Sequence, residues 1–288
     1  MNFLSTLING LSLGGIYAMI ALGYTMVYGI AKMLNFAHGD IIMVGGYTIL
    51  LFLPINPIVA IIASVILCIA VGMLIERVAY KPLRSASPLA VLITAIGVSY
   101  LLQSLAQISF GSAPKFVIIA DLGRISIGSL LVDVSTIITL ACTVAVMVAL
   151  TLFVKYSKTG RAMIAVSEDK AAAQLMGVNV NFIIAVTFAI GSGLAALAST
   201  CYLLKAPSVS PTFGSLPGIK AFTAAVIGGI GSIPGAMIGG ILLGIIEAAS
   251  LSFAPIAPYT DAIEFSILII ILLVKPSGIL GKKRREKV

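Results

Sequence analysis

The chain has 288 residues, of which 60% are hydrophobic and 10% charged, and a formal net charge of +8. Soluble domains carry about a quarter charged residues, so too few ionised side chains are present here to cover a water-facing surface, and a soluble globular protein is excluded. Apolar runs recur from end to end with no polar module between them, which predicts one all-α, polytopic transmembrane bundle occupying residues 1–288.

Spanning a bilayer core takes about 20 apolar residues per helix, fewer where a segment is broken and buried in protein. On that measure nine passes are predicted, at 5–30, 36–53, 57–79, 88–108, 133–155, 181–203, 219–231, 234–252 and 259–275. The first charge is Lys32, so the N-terminus lacks the basic region of a cleavable signal and the first helix is expected to be retained. Asn35, His38 and Asp40 open the second pass. Polar groups at that place read either as caps of a helix start or as pathway groups. Pro54 and Pro57 bracket a tight turn, and Pro82 and Pro88 fence a charged loop. Cys68, Cys142 and Cys201 are far apart in apolar runs and offer neither a disulfide framework nor a metal site.

Residues 156–180 form a long loop with helix signals of its own. Ser167 is the expected N-cap, Glu168 and Asp169 sit at the positive end of the helix dipole, and Gly177 ends a helix of about nine residues whose apolar face holds Ile164, Ala171 and Leu175. Such a helix either lies on the membrane surface or serves as a lever for a soluble partner.

The seventh pass, 219–231, is too short to span alone and reads as a half-helix. It is split from the eighth at Ser232-Ile233-Pro234. Of the chain's 28 glycines, Gly235/Gly239 and Gly240/Gly244 are pairs four apart, which point to close helix packing; the break at Gly231, Pro234 and Gly235 is an alternative candidate for a passage or gate. Glu247 is expected to be either a structural hydrogen-bonding group or a pathway group, with no basic residue in a neighbouring pass to pair with; Asp261 and Glu264 are expected to be solvated.

Fourteen of the 18 basic residues fall at Lys32, in the loops carrying Arg77 to Arg84 and Lys155 to Lys170, and at the C-terminus; Lys115, Arg124, Lys205 and Lys220 fall in opposite loops. The positive-inside rule then puts the N-terminus outside, the C-terminus in the cytoplasm, and makes the number of crossings odd. With charge reporting sidedness, Trp absent and no basic run interleaved with aromatics, nucleic acid is not an expected partner.

Gly160-Arg161-Ala162-Met163, Ala165 to Asp169 and Ala171 to Gly177 resemble the coupling region of LivH-type branched-chain amino-acid ABC permeases. So, in the same order along the chain, do Gly10 to Ala18 with Ala21-Leu22-Gly23, Leu34 to Asp40, Lys220-Ala221-Phe222 with Gly228 to Ala236, and Lys275 to Gly281. The resemblance implies the permease half of an ATP-driven importer in a bacterial inner membrane. Its partners would be a second, LivM-type permease, two ABC ATPases and an external substrate-binding protein, and its ATPase-coupling positions would be Gly160, Arg161, Ser167, Glu168, Asp169, Ala172 and Gly177. Consistently, the chain has no GxxxxGK[ST] loop, so no cofactor is expected on it and ATP-Mg would be held by the partner subunits.

No catalytic group is expected. An aspartyl-protease pair fails because Asp40 has no partner carboxylate in another span, and a Ser192 nucleophile has no placed histidine base. The competing reading is a secondary transporter driven by an ion gradient, with Glu247 or Asp40 as coupling group. For a zwitterionic substrate, the helix N-termini near Asn35 and Pro234 are the expected counter-charges.

Overall fold

The computed structural model describes residues 3–84, 86–120, 122–127 and 130–281, so the basic run at 282–287 and Asp121 lie outside the described residues. Helix α1 (Phe3–Ala31) is the axis of the molecule and packs antiparallel on α10 (Ile233–Ser252) and beside α8 (Val180–Lys205). Small residues make this approach possible. A Cβ on Gly14 would sit 2.7 Å from the Ile241 Cα, and one on Gly240 would meet the Ala18 backbone. The other pair member, Gly239, faces α9 (Ser215–Gly228), 2.9 Å from the Gly228 nitrogen by the same construction. The glycine pairs are therefore packing surfaces, each turned to a different neighbour.

Around this centre stand α3 (Pro57–Ile75, continued by a π-helical turn Glu76–Tyr80), α4 (Pro88–Phe110), α5 (Val134–Tyr156) and α11 (Thr260–Val274). Their apolar windows are mostly uncovered: 17% buried in α4 and 11% in the last span, against 61% in α8 and 50% in α1. Large side chains such as Ile62, Leu101, Val148 and Leu273 point outward, as lipid-facing side chains do. Proline and a capping side chain fix several starts. Asn56, Ser87 and Ser232 each accept a backbone N–H at the head of α3, α4 and α10, with proline in the first turn.

Among the described residues, seven helices are long and apolar enough to cross a membrane; α2 (His38–Phe52) and α9 are shorter apolar helices. The seventh predicted pass begins earlier than expected, at Ser215. Short strands, which the all-helical reading did not foresee, gather at one end of the bundle. Strand β1 (Lys115–Phe116) pairs antiparallel with β4 (Ser208–Val209), and β2 (Arg124–Ile127) with β3 (Leu130–Asp133). The opposite end carries α6 (Lys158–Glu168) and α7 (Lys170–Leu175), between α5 and α8.

Candidate functional site

The deepest irregularity is where α2 begins. Lys32, with φ of 61°, terminates α1, and residues 32–37 turn back into the bundle before α2 starts at His38. His38 packs against Gly23, eight residues inside α1 and so about 12 Å from its end. Its ring also lies edge-on to Tyr24 at 4.8 Å. Helix α9 begins at the same depth: a Cβ on Gly218 would come 2.8 Å from the Gly39 Cα. Two half-helices running in opposite directions therefore meet N-terminus to N-terminus in the interior. Neither has a side-chain cap, since Ala37 and Gly214 hold the cap positions.

This corrects the expectation that Asn35, His38 and Asp40 cap a helix start. Asn35 instead accepts a hydrogen bond from Tyr80 Oη at 2.8 Å. Asp40, 2% exposed, accepts one from Gln103 Nε2 of α4 at 2.8 Å. Beside them a cavity of about 270 Å³ is walled by Tyr24, Phe36, Ile96, Tyr100 and Ile219, with Asp40, Ser99, Gln103 and Ser215 as its polar groups. Gln103 was not singled out in the sequence. A lone amide in an apolar span was the available signal.

A second polar site lies between α9, α10 and α11. Lys220 Nζ donates to Glu247 Oε1 and Asp261 Oδ1, each at 2.8 Å, and lies 3.3 Å from Glu264 Oε2. Three expectations are corrected here. Lys220 is a buried residue of α9, not of an outer loop; Glu247 does have a basic partner in a neighbouring helix; and Glu264 is fully buried, with only Asp261 substantially exposed. Placing the start of the pass at 219 set Lys220 outside. The extra turn from Ser215 takes it inside.

At the far end, α5 turns into α6 at Ser157, whose Oγ accepts from Gly160 N–H at 2.8 Å. Gly160 lies so close to the Val154 backbone that a side chain there would displace α5. Met163 and Val166 are buried beneath α6, whereas Arg161, Ile164, Glu168 and Asp169 face outward. The loop holds two helices where one was expected. Ser167 is not an N-cap: it lies within α6 and its hydroxyl donates to Ile164 O at 2.7 Å. Asp169 takes the capping role, accepting from Ala171 and Ala172 N–H at 2.9 and 3.0 Å. Continued burial of Val166 carries α6 past Ser167 and shifts the break. Gly177, with φ of 83°, follows the end of α7, as its sequence position suggested.

Helix α7 presents Ala171, Ala172, Leu175 and Met176 to the outside, with Leu175 88% and Met176 84% exposed. It is also tied inward. Lys170 Nζ donates to the Ala31 carbonyl at the end of α1 at 2.9 Å, a cation on the negative end of a helix. Burial, and then the nearby Arg84 guanidinium, hold its pKa below the ordinary lysine value. Arg84 itself bonds Glu76 and Asn181.

The break at 231–235 is at this end too, and not in the interior. Gly229 and Gly231 have φ of 107° and 93°, Ser232 caps α10, and Gly231 lies near Gly29. The Ile279 and Leu280 N–H groups close the end of α9 by bonding Ile227 O and Gly228 O. The helix N-terminus near Pro234 is therefore not a deep counter-charge. Gly231 and Ile233 instead line a small cavity of about 90 Å³ against Met163, Ile164 and Ser167 of α6.

These features define a polytopic helical membrane permease: a deep break between half-helices, and an end-mounted helical pair fastened to the central helix. Residues 6–272 match the family described as branched-chain amino acid transport system / permease component, and the chain belongs to that family. It is 44% identical to the high-affinity branched-chain amino acid transport system permease protein BraD of Pseudomonas aeruginosa, over 100% of this chain and 98% of that one. It is 41% identical to the permease protein LivH of Escherichia coli, over 99% and 98%. Among solved structures, PsaBC from Streptococcus pneumoniae in complex with Fab aligns over 95% of this chain and 92% of that chain, with 15% identity and a TM-score of 0.47.

Proposed function

We propose that this permease carries branched-chain amino acids into the cytoplasm as one half of the membrane core of an ATP-driven importer. The full-length similarity to BraD, named for that transport, carries the reading. The other parts are a second, LivM-type permease, two ABC ATPases that bind and hydrolyse ATP-Mg, and an external substrate-binding protein. The chain itself performs no catalysis. In this reading the α6–α7 end faces the cytoplasm of a bacterial inner membrane, which puts the N-terminus outside and the C-terminus inside, in line with the clustering of basic residues.

The ATPases grip the exposed Leu175 and Met176 with Arg161, Glu168 and Asp169 around them. Movement of α6 reaches the α9–α10 turn across the small cavity that Met163 and Ile164 share with Gly231 and Ile233, and movement of α7 reaches α1 through Lys170. Glu247 bonds Lys220, which favours a structural role over that of an exchanging coupling group in a secondary transporter.

The test is affinity capture of the tagged chain from solubilised membranes, followed by reconstitution into liposomes. Recovery of a P-loop ATPase and a second permease is expected, with the ATPase lost when Glu168 and Asp169 become Lys. Leucine uptake should require ATP and survive ionophores. Uptake that outlasts ATP depletion and collapses with the ion gradient would overturn the reading.

A further inference from the structure

The two buried acidic sites differ in one respect that bears on ligands. Glu247 and Glu264 have Lys220, whereas Asp40 has no cation within 4 Å among the described residues. A carboxylate 98% withdrawn from solvent normally has a charged partner or a metal. Asp40 has neutral partners, the Gln103 amide and the Ser99 hydroxyl. Gln103 Nε2 is 2.8 Å from Asp40 Oδ1, 3.2 Å from Ser99 Oγ and 3.3 Å from Ser215 Oγ, so two N–H groups are divided among three acceptors. The Ser99 and Ser215 hydroxyls can donate as well as accept, so the patch is polar but carries no full positive charge. All four of these groups line the 270 Å³ cavity.

That cavity is smaller than the usual drug-sized pocket. Its remaining walls are apolar or aromatic, and it opens beside Tyr100 and Ile219, 66% and 47% exposed. The uncapped N-termini of α2 and α9 meet at it, with Asp40 in the first turn of one and Ser215 the first residue of the other, so positive potential lies beside the carboxylate. A site with one carboxylate, two hydroxyls, positive helix ends and an apolar wall suits a small zwitterion with a hydrocarbon side chain, whose ammonium and carboxylate are themselves neighbours.

We propose that Asp40 is the ammonium-binding group of a transient amino-acid subsite halfway along the permeation path, with Ser99 and Ser215 beside it, the helix ends opposite the substrate carboxylate, and Phe36 and Ile96 against its side chain. This rests on the transport reading above and assigns the place in the chain where the substrate pauses. The ammonium supplies the full positive charge that the neutral donors around Asp40 do not. The substrate leaves readily because the site holds one full charge and not a cage.

The assembled complex in liposomes tests this through a reporter cysteine, Ser99→Cys, or Ile96→Cys if the first does not assemble. The rate of modification by a methanethiosulfonate reagent is measured with leucine, with isopentylamine, which keeps the ammonium, and with 4-methylpentanoate, which keeps only the carboxylate. Leucine and isopentylamine should protect and 4-methylpentanoate should not. Adding Asp40→Asn should weaken protection about tenfold or more, the size of one charge-assisted hydrogen bond, and Asp40→Glu should restore part of it. Protection by 4-methylpentanoate, absence of protection by both amines, or protection unchanged in Asp40→Asn would overturn the subsite. ATP-driven leucine uptake without protection overturns the subsite alone. Protection by isopentylamine without leucine uptake leaves the ammonium site standing and overturns the transport reading.

Discussion

Two buried acidic sites stand at different depths and are satisfied in different ways. Between α9, α10 and α11, one lysine serves two buried carboxylates and a half-exposed one. At the start of α2, a single carboxylate is served by an amide. The first is a closed electrostatic knot that joins three helices. The second is held open, with a cavity where its counter-charge belongs. Fixing helices needs complete pairing. Passing a charged solute needs a site whose pairing the solute completes.

Substitutions along a series of carboxylates, from most to least enclosed, sharpen this contrast. Thermal unfolding read with a thiol-reactive dye suits the chain, since Cys68 and Cys201 are buried until it opens. Lys220→Met makes the closed site resemble the open one by leaving Glu247 and Glu264 without a cation; a loss of about 3–5 kcal/mol is expected, partly recovered on adding Glu247→Gln. A loss too small to detect would mean the knot contributes nothing. Gln103→Leu strips Asp40 of its hydrogen-bond donor and should cost about 1–3 kcal/mol, with leucine uptake falling further than stability does. Asp169→Ala removes the cap of α7 in water, costs about 1 kcal/mol locally, and should loosen ATPase capture; capture at the native level would show that α7 is not gripped. Arg124→Ala breaks an exposed pair with Asp133 and should change stability by less than about 1 kcal/mol. A larger loss there would show that exposure is a poor guide to these sites.

The sequence made the long helices legible because their ends are chemical. Pro57 and Pro88 follow capping residues, and the apolar runs have the length a bilayer demands. Glycine spacing on α10 was legible too, as two faces. Pairing across distance was not. Asp40 and Gln103 are 63 positions apart, and Lys220 and Glu247 are 27 apart, with nothing local to join them. Of the two breaks expected, near Asn35 and near Pro234, only the first is deep: Gly231-Ser232-Ile233-Pro234 is a louder turn signal than Phe36-Ala37-His38, yet the louder turn closes an end of the bundle. The single helix foreseen at 167–177 became two because Ser167 and Asp169 are both good caps, and burial of Val166 decided between them.

The meeting of Gly39 with Gly214 and Gly218 also orders events in time. Helix α2 leaves the ribosome carrying His38 and Asp40, and a charged residue at the centre of an inserting helix costs about 2.5–3.5 kcal/mol. His38 finds Gly23 already made and Asp40 meets Gln103 63 positions on, but the glycine surface of α9 follows roughly 175 residues after Gly39, which at ordinary synthesis rates is about 10–35 s. Through that interval the hairpin of α2 and α3, closed by the Pro54–Pro57 turn, waits for the helix end its first turn meets. Chains released before residue 214 lack the surface that closes on Gly39 and should be recognised as unfinished by membrane quality control.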